Sequence, residues 1–394
     1  MLTARRLAVA AIALLVAAQV ARNAAVEAWE RSRPDAAARL WPGHPDVELS
    51  SAMLAIAGAA RERRPVSPAT FDDIADAAAK APLAPEPFLV RGVQAQLAGD
   101  TKAAAQAFLQ AEWRDPRSLP ARYFLADHYF REGNAIRGLS EVGVLSRIAP
   151  NGVGTVAPYV ARYAHDRANW PQVRALFRSQ PALEDAALSA LARNPANADL
   201  VLALATPGRR GPKTPWLPTL LASLTSAGQY AKARQIWAQM SGVHVRPDSL
   251  HDPQFNSPGA SPPFNWTLTS STVGFAERQR GGGLHVIFYG QEDGILATQT
   301  LVLPPGRYRL SMNASGGASR TDALQWTIVC SATNRPIAST PLNAAAGRGW
   351  AFAVPSSCPG QRLELVGSSS DLPQQQQADV TIRSLSLSRE GQGA

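Results

Sequence analysis

The stretch LVLPPGRYRLSM, residues 301–312, decides how the second half of this chain folds. Pro304, Pro305 and Gly306 form a turn between two apolar runs. After the turn Tyr308, Leu310 and Met312 alternate with Arg307, Arg309 and Ser311, the period-two pattern of a strand with one buried face. Working outward, short runs of the same kind fall at 263–270, 284–290, 296–303, 307–313, 324–330, 350–354, 361–366 and 379–388. Clusters of Gly, Pro or Ser separate them. That spacing predicts an antiparallel β-sandwich over 263–390.

The pattern L-x-L-P-x-G-x-Y-x-L-S resembles the strand–turn–strand of jelly-roll carbohydrate-binding modules of the galactose-binding-like type. The resemblance covers about twenty residues, LATQTLVLPPGRYRLSMNA. It implies a jelly roll, with Leu303, Tyr308 and Leu310 pointing inward, and it points less specifically to sugar binding. Alternation places Trp326, Trp350 and Phe352 inside with the core. His285 and Tyr289 face out, as do Arg309, Asn313 and Gln325. An aromatic ring beside planar hydrogen-bonding groups suits a sugar, so these five are the candidate glycan-binding residues.

The first half reads differently, being dominated by alanine up to about Met240. In PEPFLVRGVQAQLAGDTKAAAQAFLQAEWRDP, residues 85–116, Gly92 lies on a first helical run and Gly99 in a turn. Ala104, Phe108 and Ala111 share a face of a second run. The pattern recurs 34 residues later: Ala126, Gly133, Gly138 and Leu145 take the corresponding places, and Pro150 follows Pro116. It returns over 216–240 with Leu221, Gly228, Ala233 and Trp237, while Asp166-Arg167 stands where a turn glycine is expected. A 34-residue helix–turn–helix period resembles the tetratricopeptide repeat. That resemblance implies an α-solenoid over 45–245 whose concave face holds a protein partner. By register Gln96, Tyr123, Asp127, Phe130 and Arg131 line that face, with packing as the alternative role for Tyr123 and Phe130. Residues 246–262, rich in Pro, Asp and Ser, read as a linker.

The N-terminal stretch MLTARRLAVAAIALLVAAQVARN places Arg5 and Arg6 before an apolar run from Leu7 to Ala21. Residues 1–25 therefore read as a signal-anchor, with a cleaved export signal as the alternative. Either reading puts the rest of the chain outside the cytoplasm: the anchor reading holds it at a bacterial inner membrane through residues 7–21 with its bulk in the periplasm, and the cleaved reading leaves it secreted or periplasmic. The only two cysteines, Cys330 and Cys358, are expected to form a disulfide in an oxidising compartment.

Net charge is +9 over 394 residues. Residues 251–394 hold 10 Arg against 9 acidic side chains, so almost all of the excess lies in the helical half. Its Lys and Arg are scattered without interleaved aromatics, which argues against a nucleic-acid partner. PGRRGPKTPW, residues 207–216, lacks the glycine spacing of a phosphate loop. The six histidines are dispersed, and no catalytic or metal-ligating motif occurs. The sequence thus predicts a multidomain α plus β chain with no catalytic residues, cofactor or metal. The combination of modules resembles that of membrane-anchored accessory proteins of bacterial exopolysaccharide or cell-envelope assembly, and that resemblance implies a periplasmic adaptor role. A purely structural scaffold is the first alternative, and a glycan-active enzyme with a dispersed carboxylate pair is the second.

Overall fold

The computed structural model describes residues 2–30, 32–244, 246, 249–316, 323–347, 349–369 and 377–390. The chain is mixed α plus β: helices fill the N-terminal part and two antiparallel sheets the C-terminal part. It divides into two compact units, Met1–Val156 and Ala157–Ala394.

The first unit opens on one long helix, α1 (Leu2–Trp29), followed by α2 (Pro34–Leu40) and α3 (Pro45–Glu62). From Leu7 to Val20 the apolar residues of α1 are exposed, but Val26, one turn beyond Arg22, is buried with Ala37 of α2 and Val47 of α3. The helix is apolar and long enough to cross a membrane.

Helix pairs follow: α4 (Pro68–Lys80), α5 (Glu86–Leu97) with α6 (Thr101–Arg114), and α7 (Leu119–Arg131) with α8 (Ala135–Ile148). Each 34-residue step ends its first helix in a left-handed glycine, Gly99 at φ +78° and Gly133 at φ +74°. Only glycine adopts that conformation without strain. The next residue but one begins the second helix, capped by Asp100 on the N–H of Ala103 and by Asn134 on that of Arg137. Phe108 packs where a side chain on Gly92 would be, so α5 and α6 cross closely. Arg122 of α7 bridges Glu141 of α8 and Glu112 of α6 in a largely buried cluster.

The second unit contains the end of α9 (Gly152–Tyr163), then α10 (Trp170–Ser179), α11 (Pro181–Ala192), α12 (Ala198–Leu204), α13 (Leu217–Ser226) and α14 (Tyr230–Ser241). Gly228 turns α13 into α14 at φ +74°, matching Gly99 and Gly133. Where the glycine is missing, Asp166 caps a short 3₁₀ turn by accepting the N–H of Ala168. The 207–216 loop is tied down by Arg209, which pairs with Glu184 and Asp185 of α11.

The sheets of this unit comprise β1 (Thr267–Leu268), β2 (Gly274–Arg278), β3 (Leu284–Phe288), β4 (Gly294–Leu301), β5 (Gly306–Gly316), β6 (Leu324–Cys330), β7 (Arg335–Pro341), β8 (Trp350–Val354), β9 (Gln361–Gly367) and β10 (Ala378–Arg389). A short helix, α15 (Leu342–Gly347), lies between β7 and β8. One sheet runs β1-β4-β9-β6-β7 and the other β2-β3-β10-β5-β8. Their inner faces share one core containing Phe288, Tyr308, Trp326, Leu363 and Ile382. Tyr308 is fully buried and donates its hydroxyl to the Pro304 carbonyl across the opening turn. Trp326, Trp350 and Phe352 are buried, as alternation predicts.

Seven of the expected runs appear as strands within two residues of their expected ends, except that β5 continues to Gly316. The run at 263–270 shrinks to β1, and β2 and β7 are additional. β7 carries Pro336 and Pro341, which masks its strand character in the sequence. Cys330, the last residue of β6, is bonded to Cys358 in the β8–β9 loop, with 5.6 Å between their Cα atoms.

The 246–262 stretch has Pro247 and Asp248 outside the described residues, but from Leu250 on it is not loose chain. Leu250 and Phe255 are buried in the sandwich core. Asp252 is buried at φ +48°, accepts the N–H groups of Asn256 and Ser257, and pairs with Arg278 at 3.2 Å. Helix α14 is attached to the same body: Arg234 donates to the Val302 carbonyl, Trp237 donates to that of Ser261, and Tyr230 stacks on Gly360.

Candidate binding surfaces

The outer face of the β2-β3-β10-β5-β8 sheet is built by alternation from polar and small side chains. β5 contributes Arg309, Ser311, Asn313 and Ser315, and β10 contributes Asp379, Thr381, Ser384, Ser386 and Ser388. Three of the five predicted glycan residues lie on this sheet's outer face. His285 of β3 is opposite Thr381, Asn313 of β5 is opposite Ser384, and Arg309 is opposite Ser388. β10 separates His285 from Asn313, and Arg309 lies four residues along β5 from Asn313, or about 13 Å. His285 is engaged with Asp379 at 2.9 Å and Arg309 with Glu390 at 2.7 Å. Tyr289 follows the end of β3 and is 38% exposed. Gln325 belongs to β6 in the other sheet, opposite Val366 and Pro341. The five are therefore not one cluster.

A different group does converge. Gln254, Gln279, Gly281, Gly282, Ser315, Thr381, Arg383 and Ser384 line a cavity of about 570 Å³ on the same outer face. The cavity depends on two backbone irregularities. Gly281, Gly282 and Gly283 all have φ between +90° and +102°, which draws the β2–β3 hairpin toward Gln254. In β10 a bulge at Arg383 places Ile382 opposite Ala314 and Ser384 opposite Asn313, leaving Arg383 as the extra residue. Arg383 Nε donates to Ser315 Oγ at 3.2 Å. The lining is hydroxyls, two amides and one guanidinium, a set that exchanges hydrogen bonds with a polyhydroxylated or anionic ligand. Sequence reasoning missed it because a bulge breaks the alternation used to assign faces. The Gly-Gly-Gly run at 281–283 is the one signal that marked the place.

On the helical side, Tyr123 and Asp127 lie on an exposed stripe of α7, with Arg131 paired to Asp127 at 2.7 Å. Gln96 is exposed on α5, beside Val93 at 46% and Leu97 at 84% exposure. Phe130 is half-buried and its ring covers Gly138 of α8, at 2.7 Å from where a Cβ would be, so it packs the helix pair. Four of the five predicted groove residues are thus on the surface, and the fifth serves the repeat itself.

No family model matches the chain, and no curated protein matches it. Among solved structures it has a likeness to a chain from the crystal structure of accessory secretory protein 1, 2 and 3 in Streptococcus pneumoniae. The identity is 11% and the TM-score 0.25, over 37% of this chain and 99% of that one. A likeness at that score carries no argument about function.

Proposed function

We propose that this chain is a membrane-tethered, non-catalytic adaptor whose bulk lies in a bacterial periplasm. The helix pairs, read as tetratricopeptide-like, bind a protein partner through the exposed face of α5 and α7. The sandwich presents its polar cavity to a glycan, in exopolysaccharide or cell-envelope assembly. The apolar α1 and the Cys330–Cys358 bond support the location.

The observation that carries the adaptor reading is the row Val93, Leu97 and Tyr123 with the Asp127–Arg131 pair. Large apolar side chains stand exposed beside charged ones on consecutive repeats. Such a mixture suits a protein ligand, with aromatic and aliphatic anchors inside a polar rim. A photo-crosslinking residue at Tyr123 or Val93 in cells should capture a discrete partner band that the same residue at Gln106, on α6, does not. Equal labelling at all three positions would overturn the reading.

A purely structural scaffold is the second reading. The dispersal of His285, Arg309 and Gln325 favours it, since they do not assemble a sugar platform. Retention of the full chain on cell-surface polysaccharide separates the two. Loss of retention in Arg383→Ala supports glycan binding, and absence of retention in the wild type leaves the scaffold.

A further inference from the structure

The apolar run of α1 ends at Ala21, and Arg22 is the first charge beyond it. Fifteen residues of helix rise about 22 Å. A bilayer core is about 30 Å thick. A span that short is accommodated by local thinning and by drawing its flanking residues to the membrane surface. What is attached to Arg22 comes with it.

Arg22 is attached to a specific feature. Its Nε donates to the Leu40 carbonyl at 3.1 Å, and its guanidinium lies over the Trp41 ring at 4.0 Å from the centroid. The turn Leu40–Trp41–Pro42–Gly43, between α2 and α3, is therefore at the depth of Arg22 rather than a helix length away. Val26, Ala37, Val47 and part of Trp41 pack behind it, so the turn is fixed to the helix by a core. Its outer side is apolar and open: Leu40 is 40% exposed and Pro42 and Gly43 are exposed. Arg33 and Arg39 flank it on the α2 side, with Asp35 between them, and Asp46 follows on the α3 side beside His44, at 3.7 Å. Aromatic and aliphatic side chains edged by arginines favour the interfacial zone of a bilayer, where anionic headgroups lie beside acyl chains.

We infer that the 40–43 turn is a membrane foot, seated in the headgroup region of the leaflet from which the helical unit emerges, with anionic phospholipid as its partner. The inference rests on α1 being a retained anchor. The foot adds a second contact that fixes the first helices against the surface, where a single helix alone would act as a swivel.

Because the native cysteines are bonded to each other, a new cysteine is the only thiol open to labelling. A Cβ at Gly43 meets nothing within 4 Å, so Gly43→Cys fits the turn. Pro42→Cys is a second labelling position. The full chain, labelled with an environment-sensitive fluorophore, would be reconstituted into phosphatidylethanolamine–phosphatidylglycerol vesicles with and without spin-labelled lipid. Leu14→Cys reports the span and Gln110→Cys the remote surface. The expected result is a blue shift and quenching by lipid spin label at residues 14, 42 and 43, and neither at 110. Quenching at 14 with residues 42 and 43 behaving like 110 overturns the foot and leaves the anchor standing. No quenching at 14 removes the anchor and the foot together. Protection of 42 and 43 from an aqueous quencher, without quenching by lipid, assigns the turn to a protein contact and also overturns the foot.

Discussion

Phe108 occupies the space that any side chain at position 92 would need: a Cβ on Gly92 would lie 2.8 Å from its ring. The contact sets how closely α5 and α6 approach. Gly92→Val is expected to push the helices apart and cost about 1–3 kcal/mol, the usual range for overpacking. Thermal melting checks it, with Gly43→Ala, which meets open space, melting like the wild type.

Asp252 and Arg278 form a pair in which the carboxylate is fully buried. Arg278→Ala leaves that charge without its cation and is expected to destabilise by about 3–5 kcal/mol. Asp252→Asn with Arg278→Ala should cost less than the sum of the two single changes, because the buried charge has gone. Urea titration of all three variants measures the coupling.

Burial holds the His251 imidazole below its ordinary value, with Arg278 acting in the same direction and Asp252 opposing. Its Nε2 has no hydrogen-bond partner among the described residues, so a proton there finds no acceptor. A depressed folded-state value means the unfolded chain takes up the proton first. The stability from this group is complete above the unfolded value of about 6.5 and is lost as pH falls from there toward the folded value. Denaturation midpoints followed downward from neutral pH should fall more steeply in the wild type than in His251→Gln.

The bond between Cys330 and Cys358 closes a 28-residue separation around β7, α15 and β8. On the chain-entropy model, reducing it costs about 3–4 kcal/mol. Unfolding in the presence and absence of a reductant measures this, and a midpoint that does not move would refute a stabilising role.

Much of the sandwich was legible because its strands obey alternation. Tyr308, Leu310 and Met312 reveal β5 by period alone, and the left-handed Gly99 and Gly133 reveal the helix pairs by spacing. What escaped reading breaks those rules. Leu250 and Phe255 are isolated apolar residues within Pro- and Ser-rich chain, so nothing local announces that they enter a core. Arg383 is the extra residue of a bulge, and from there on a strict count of two puts the wrong residues on the outer face. Alternation assigns the candidate glycan residues to faces within single strands, and strand order decides which of them meet. That order, with β10 between β3 and β5 and β6 in the opposite sheet, is a property of pairing between distant segments, which no local pattern encodes.

Among the described residues β7 stands at the end of its sheet with only β6 beside it, and two of its seven residues are prolines. Proline brings no amide hydrogen to a ladder, so an incoming strand meets an interrupted row of donors. That interruption keeps neighbouring sandwiches from joining edge to edge into fibres. Replacing Pro336 and Pro341 together by valine would open this edge, and amyloid-dye binding by the doubly substituted chain but not by the wild type is the expected sign.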